Sequence, residues 1–160
     1  VITIVRKDLW KLRANQNIDF FNSNKEVLSA KQYDQTKKYY TKAIPLVYKD
    51  FYGILSFSKF IFAYLVGIFK VMYRQLRSSD TRIVAHKSAA LASQNFMISM
   101  SGFGYDTCPM EGFDSLKLKN LLRLNKKSEI NMVIGCGIRS KEGVYGKRFR
   151  IPFEEVYFRK

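Results

Sequence analysis

Apolar positions along this chain change period several times, and each change marks an element. The opening run Val1–Val5, VITIV, is continuous and β-branched, the pattern of a buried strand. From Asp8 to about Phe21 the apolar positions shift to helical spacing, with Leu9, Leu12, Gln16 and Phe20 along one side and Asn22-Ser23-Asn24 as the stop. A second helical piece, rich in Lys and Tyr (Tyr33, Tyr39, Tyr40), is expected from Lys31 to about Ala43, ending near Pro45. The strongest helical signal runs from Asp80 to Ser101 without internal Gly or Pro. Ala85, Ala89, Ala92 and Phe96 share one side, and Ala90, Met97 and Met100 widen the stripe. Ser79 or Asp80 is the expected N-cap and Gly102 the expected C′ glycine. An alanine-rich face lets another backbone approach closely, which suits a buried central helix or a subunit interface.

The stretch that follows, Gly102–Asp114, reads GFGYDTCPMEGFD and predicts a loop before a new helix start at Asp114 or Ser115. Pro109 fixes its own φ and lacks an N–H, whereas Gly112 admits unusual backbone geometry, with Glu111 between them. Such a loop either serves as a plain helix–loop–helix turn or aims N–H groups and a carboxylate at a ligand. Ser115–Leu124 is a short amphipathic helix using Leu116, Leu118, Leu121 and Leu122, and Ile130–Gly135 is a second apolar strand. Arg139–Arg150 is a basic, Gly-rich loop, and Phe153–Phe158 reads as a terminal strand or an arm that wraps a partner.

Residues 46–78 form an apolar lid or insert region. Within it Phe60–Phe69, FIFAYLVGIF, is bounded by Lys59 and Lys70. The run is half the length needed to span a bilayer, about 20 residues. Three readings stay open: a buried helix or lid, part of a dimer interface, or a weak contact with a membrane surface through 60–69.

Composition narrows the choices. A chain of 160 residues forms one domain, 1–160, expected to bury roughly 70% of its unfolded surface. Its 47% hydrophobic content excludes a disordered chain. The formal charge of +15 is spread along the whole sequence, with no zinc-finger spacing or basic helix to organise it, so no specific nucleic-acid partner is expected. His86 is the only histidine and leaves no histidine-rich metal site; it reads as a packed residue. Cys108 and Cys136 lie outside any CxxC pair, so reduced thiols in a cytoplasmic setting are the default and a disulfide the alternative. Gly102-x-Gly104 follows a helix, and no helix opens after Gly135-x-Gly137, so neither is a dinucleotide fingerprint. Arg148 and Arg150 alternate and, if extended, face one side, where guanidinium groups can clamp a phosphate bidentately.

The run His86–Asp114, with the short helix, the strand MVIGCG and the basic segment YGKRFRIP after it, resembles the C-terminal half of the FMN-dependent nitroreductase family. The resemblance implies an α+β fold, a small and mainly antiparallel sheet flanked by helices, with Val1–Val5 as its middle strand and the long helix at the core of a homodimer. It implies an NAD(P)H-dependent flavin oxidoreductase acting on a small-molecule electron acceptor such as a nitroaromatic or quinone. By the same resemblance Pro109, Met110, Glu111 and Gly112 line the flavin ring, with Glu111 and Gly112 the catalytic pair through a backbone N–H at the N5/O4 edge. Arg148 and Arg150, helped by Lys147, hold the FMN phosphate. The family's N-terminal arginine- and serine-rich motif is not among these residues, and the chain opens inside an apolar run, so a fragment carrying about half a flavin site is expected. The rival readings are a non-catalytic remnant of the same fold and a peripheral membrane or interaction module.

Overall fold

The computed structural model describes residues 1–144 and 146–159. Tyr145, the first residue of YGKRFRIP, lies outside the described residues, as does Lys160.

Three strands form one antiparallel sheet among the described residues: β1 (Ile2–Val5), β2 (Asp106–Met110) and β3 (Glu129–Gly137), in the order β1–β3–β2. The last strand in sequence is therefore the central one, and β1 is an edge rather than the middle strand expected for it. Its exposed Ile4 fits an edge better than a strand covered on both faces. The helices are α1 (Trp10–Ser23), α2 (Ala30–Lys38), α3 (Ile44–Tyr48), α4 (Ile54–Val66), α5 (Ser78–Gly102), α6 (Ser115–Leu121) and α7 (Phe153–Val156). The fold is α+β, with α5 packed on all three strands.

Local chemistry explains where the elements begin and end. Ser29 and Gln32 form a reciprocal capping box that starts α2. Pro45 does not end the helical stretch as expected. A π-helical turn at Tyr39–Ala43, closed by the Ile44 N–H on the Tyr39 carbonyl, carries the chain into α3 with Pro45 in its first turn. Proline is tolerated there because the π turn shifts the hydrogen-bond ladder by one carbonyl, so the missing Pro45 N–H falls where the ladder is already broken. The cap of α5 is Arg77, not Ser79 or Asp80; Asp80 instead accepts the Arg77 N–H at 3.0 Å from the third helical position. At the other end the left-handed residue is Gly104, φ 82°, not Gly102. The Tyr105 N–H reaches the Met100 carbonyl at 2.9 Å and the Gly104 N–H the Ser101 carbonyl at 3.1 Å, the paired bonds of a Schellman stop. The terminal stretch is also corrected: Phe153–Val156 is a helical turn, favoured by Pro152 before it, two glutamates in its first turn and Phe153 stacked on Tyr157 at 4.7 Å.

A polar seam ties α5 to the sheet. Between Thr3 and Ile4 the register of β1 on β3 slips, leaving Asn131 as the extra residue of a bulge. The bulge turns Asn131 toward α5, where its amide donates to the His86 carbonyl at 3.2 Å and faces His86 Nδ1 at the same distance. An amide donor at Nδ1 leaves the imidazole proton on Nε2, which donates to Glu129 at 3.1 Å. Arg82 pairs with the same carboxylate oxygen. Fully buried Ser93 continues the seam to Thr3, 3.0 Å away. His86 is thus a packed residue linking helix and strand.

The seam has a pH signature. Burial pushes the Glu129 carboxyl up, but hydrogen bonds from His86 and Arg82 and the Arg82 charge outweigh it and hold its pKa below the ordinary value. A depressed folded pKa means that its stabilisation is present above the unfolded value, about 4.3, and is lost as pH falls through the folded one. Glu129→Gln is expected to lower stability by about 1 kcal/mol at neutral pH, discounted because Arg82 is half exposed. It should also flatten the acid limb of stability below about pH 4.3, measured by urea unfolding from about pH 6 down to about pH 2.

The buried apolar residues are Val5, Ala14, Ala63, Leu76, Ile130 and Ile134, a thin core. The chain exposes 13244 Å², against about 8,300 Å² for a compact monomer of this mass. The expected 70% burial is therefore not reached. Exposed apolar side chains run from Val1 to Phe158, and on α4 they include Phe57, Phe62 and Leu65.

Candidate active site

Asp106–Met110 is a strand where the sequence suggested only loop, so Pro109 and Met110 belong to β2 rather than to a bend. Cys108 pairs with Gly135, Pro109 with Ile134 and Met110 with Val133. Pro109 is accommodated because β2 is an edge, where a missing N–H leaves no neighbour unbonded. The chain leaves the sheet at Glu111, turns through a Phe113 N–H bond to the Glu111 carbonyl at 3.1 Å, and enters α6. Asp114 caps α6 as expected, accepting from the Leu116 and Lys117 N–H groups at 3.1 and 3.0 Å. Glu111–Phe113 is therefore a short span held at both ends, by a paired strand and by a capped helix.

Within that span the N–H groups of Glu111 and Gly112 have no hydrogen-bond partner among the described residues outside the strand pairing, and both residues are exposed. A Cβ added at Gly112 would meet nothing within 4 Å. The site is open, with two backbone donors facing solvent. Thr107 pairs with Cys136 while Cys108 pairs with Gly135, so strand alternation puts the two thiols on opposite faces. Both are free and exposed, and the disulfide alternative is not realised.

Arg148 and Arg150 lie on the irregular, exposed segment after β3. Arg150 donates to the Phe149 carbonyl at 2.9 Å, and neither arginine is ion-paired among the described residues. Neither the cleft of about 770 Å³ at the start of α5 nor the groove of about 430 Å³ along β2 and β3 is lined by Glu111, Gly112, Arg148 or Arg150. Within one chain the loop and the arginine pair are not gathered into one enclosed pocket.

The cleft of about 770 Å³ at the start of α5 escaped sequence reasoning. Lys7 donates there to the Ser78 carbonyl, Ser78 Oγ and Thr81 Oγ1 at 3.0–3.2 Å, and Trp10 stacks on Tyr48 at 6.2 Å to form an aromatic wall. Its acids are already engaged. Hydrogen bonds from Arg6 hold the Asp8 carboxyl below its ordinary range, against a small opposing push from burial. Burial also pushes Asp50 up, but the Ser56 and Phe51 N–H groups more than offset it. A cleft of this volume takes a small molecule; Lys7 and Thr81 spend their donors on Ser78 and each other, which leaves Lys49 and Lys127 as the lining cations that suit an anionic group.

Residues 7–138 match the family model described as the nitroreductase family. The chain belongs to the nitroreductase family. Among curated nitroreductase relatives it is 35% identical over 71 residues to MhqN of Bacillus subtilis, whose name describes an NAD(P)H nitroreductase; the match covers 44% of this chain and 34% of that protein. It is 33% identical over 92 residues to DrgA of Synechocystis, covering 56% of this chain and 42% of that protein. The chain thus spans about a third to two fifths of the curated relatives it matches. Two crystal structures share the nitroreductase fold: ydfN of Bacillus subtilis, TM-score 0.59 at 24% identity over 94% of this chain and 59% of that one, and a Streptococcus pneumoniae family protein, TM-score 0.64 at 15% identity over 98% and 62%. Among the described residues no helix is long and apolar enough to cross a membrane.

Proposed function

We propose that this nitroreductase-family chain is the flavin-holding part of an FMN-dependent NAD(P)H oxidoreductase that reduces nitroaromatics, quinones or similar small acceptors in the cytoplasm. The observation that carries the reading is the span Glu111–Gly112, with two unpartnered backbone donors at the end of an edge strand and no side chain in front of Gly112. Bound FMN would supply the ring that accepts hydride and passes electrons on. The donor chemistry here fits that group: Arg148 and Arg150 carry guanidinium groups free of acidic partners among the described residues, which suits a phosphate, and Pro109–Gly112 offers backbone donors to a polar ring edge. Glu111 and Gly112 would orient the ring and stabilise charge developing on it; Pro109 and Met110 would help exclude water from its face.

A homodimer is part of the same proposal. The excess exposed surface supports it, as do Leu91 and Ile98 on the outer side of α5 and the apolar arm from Phe149 to Phe158. A second copy could bring its own arginine arm to the loop, which a single chain does not do.

The test is direct. Purified protein titrated with FMN should quench flavin fluorescence, turn yellow, and oxidise NADH or NADPH only when a nitroaromatic or quinone is added. A protein that stays colourless and takes up no FMN sinks the reading and leaves a fold without its chemistry.

A further inference from the structure

Helix α4 is apolar on nearly every side, yet much of it is uncovered. Ile54, Phe57, Ile61, Phe62 and Leu65 follow helical spacing, and Ile68 and Phe69 extend the stripe past the helix end. Phe62 is 62% exposed and Phe69 85%. A helix of this composition is ordinarily buried in protein or in lipid. Its 13 residues give a length of about 20 Å, short of the roughly 30 Å of a bilayer core. It can lie in a membrane surface but not cross one.

The charges around the helix identify the occupant. From Phe51 to Ser79 the sequence contains no Asp or Glu, while Lys59, Lys70, Arg74 and Arg77 fall within it. Two of these cations are pinned beside the helix. The Arg77 guanidinium sits 3.8 Å over the Phe60 ring, Arg74 lies 5.6 Å over Tyr64, and Arg74 also donates to the Gly67 carbonyl at the helix end. Cationic side chains flanking exposed Phe, Leu and Ile side chains are the arrangement of an interfacial helix, with the apolar stripe among acyl chains and the cations at lipid phosphates. A second copy of the chain complements this face poorly, because it would bring the same four cations against their images.

We infer that α4 and the basic segment after it dock this protein on an anionic lipid surface, a role beyond the proposed flavin chemistry and independent of it. Flotation with vesicles of mixed phosphatidylcholine and phosphatidylserine, against phosphatidylcholine alone, tests it. The protein should float only with the anionic vesicles, and binding should weaken with added salt. Leu65→Glu with Phe69→Glu should weaken binding by more than about tenfold. Because a charged variant can perturb folding, Phe62→Trp provides a second readout, its indole emission shifting to the blue when anionic vesicles are added. Three outcomes overturn the inference: no flotation with anionic vesicles, flotation that survives the paired glutamates without an emission shift, or sedimentation showing that those glutamates split a dimer while vesicle binding is absent. The last would make the face a contact between copies.

Discussion

Ile134→Ala should cost about 3–4 kcal/mol of stability, the largest loss expected from any single truncation in this chain. Ile134 is the largest side chain fully withdrawn from solvent, at 1% exposure, and sits in the central strand of a three-stranded sheet. Across β2 it opposes Pro109, and its backbone exchanges bonds with Val1 at 2.7 and 2.8 Å, so strands on both sides limit collapse into the void. Poor collapse leaves a cavity, which raises the cost above the transfer term alone. The thin core sharpens the effect, since few other apolar side chains share the load. Urea unfolding followed by circular dichroism measures it, with exposed Val27→Ala as the control, expected to change stability by less than about 0.5 kcal/mol. An Ile134→Ala loss no larger than the control's would mean that β3 is not the centre of the stable unit.

The same strand shows how far the sequence could be read. Continuous apolar runs at Val1–Val5 and Ile130–Gly135 mark β1 and β3, and the alanine-rich stretch marks α5, because burial of these segments against one another leaves a periodic imprint. β2 left none. Its residues Asp106–Met110 are exposed but for Thr107, so an edge strand with a proline carries no alternation to detect, and its strand character comes entirely from pairing with β3. Which strand is central is also invisible locally, since Ile2 and Ile134 look alike until the partners are known. The helix ends failed for a subtler reason: Gly102 and Gly104 both suit a stop, and the choice depends on which carbonyls the following N–H groups can reach. Beside the loop, the legible part was the cap at Asp114. The cleft around Lys7 and Thr81 was not, because it joins residues more than seventy positions apart.

Changing Arg148 and Arg150 together to alanine is expected to weaken FMN binding by about a hundredfold, the equivalent of roughly 2.7 kcal/mol, within the range of two charge-assisted hydrogen bonds. Neither side chain supports the fold. Both are exposed and irregular in backbone, and Arg150 bonds only its neighbour's carbonyl, so the circular dichroism spectrum and the unfolding midpoint should not move. The decisive comparison is between FMN and riboflavin, which share the ring and differ by the phosphate. If the arginines hold the phosphate, the double variant loses affinity for FMN while its weak riboflavin binding stays level. Arg→Lys at both positions should recover only part of the loss, because an ammonium keeps the charge but not the bidentate fork. Equal losses for both ligands would assign the arginines to the shape of the pocket. Unchanged affinity for both would place the phosphate elsewhere, and the lysine and hydroxyl cleft at the start of α5 would be the next candidate to hold it.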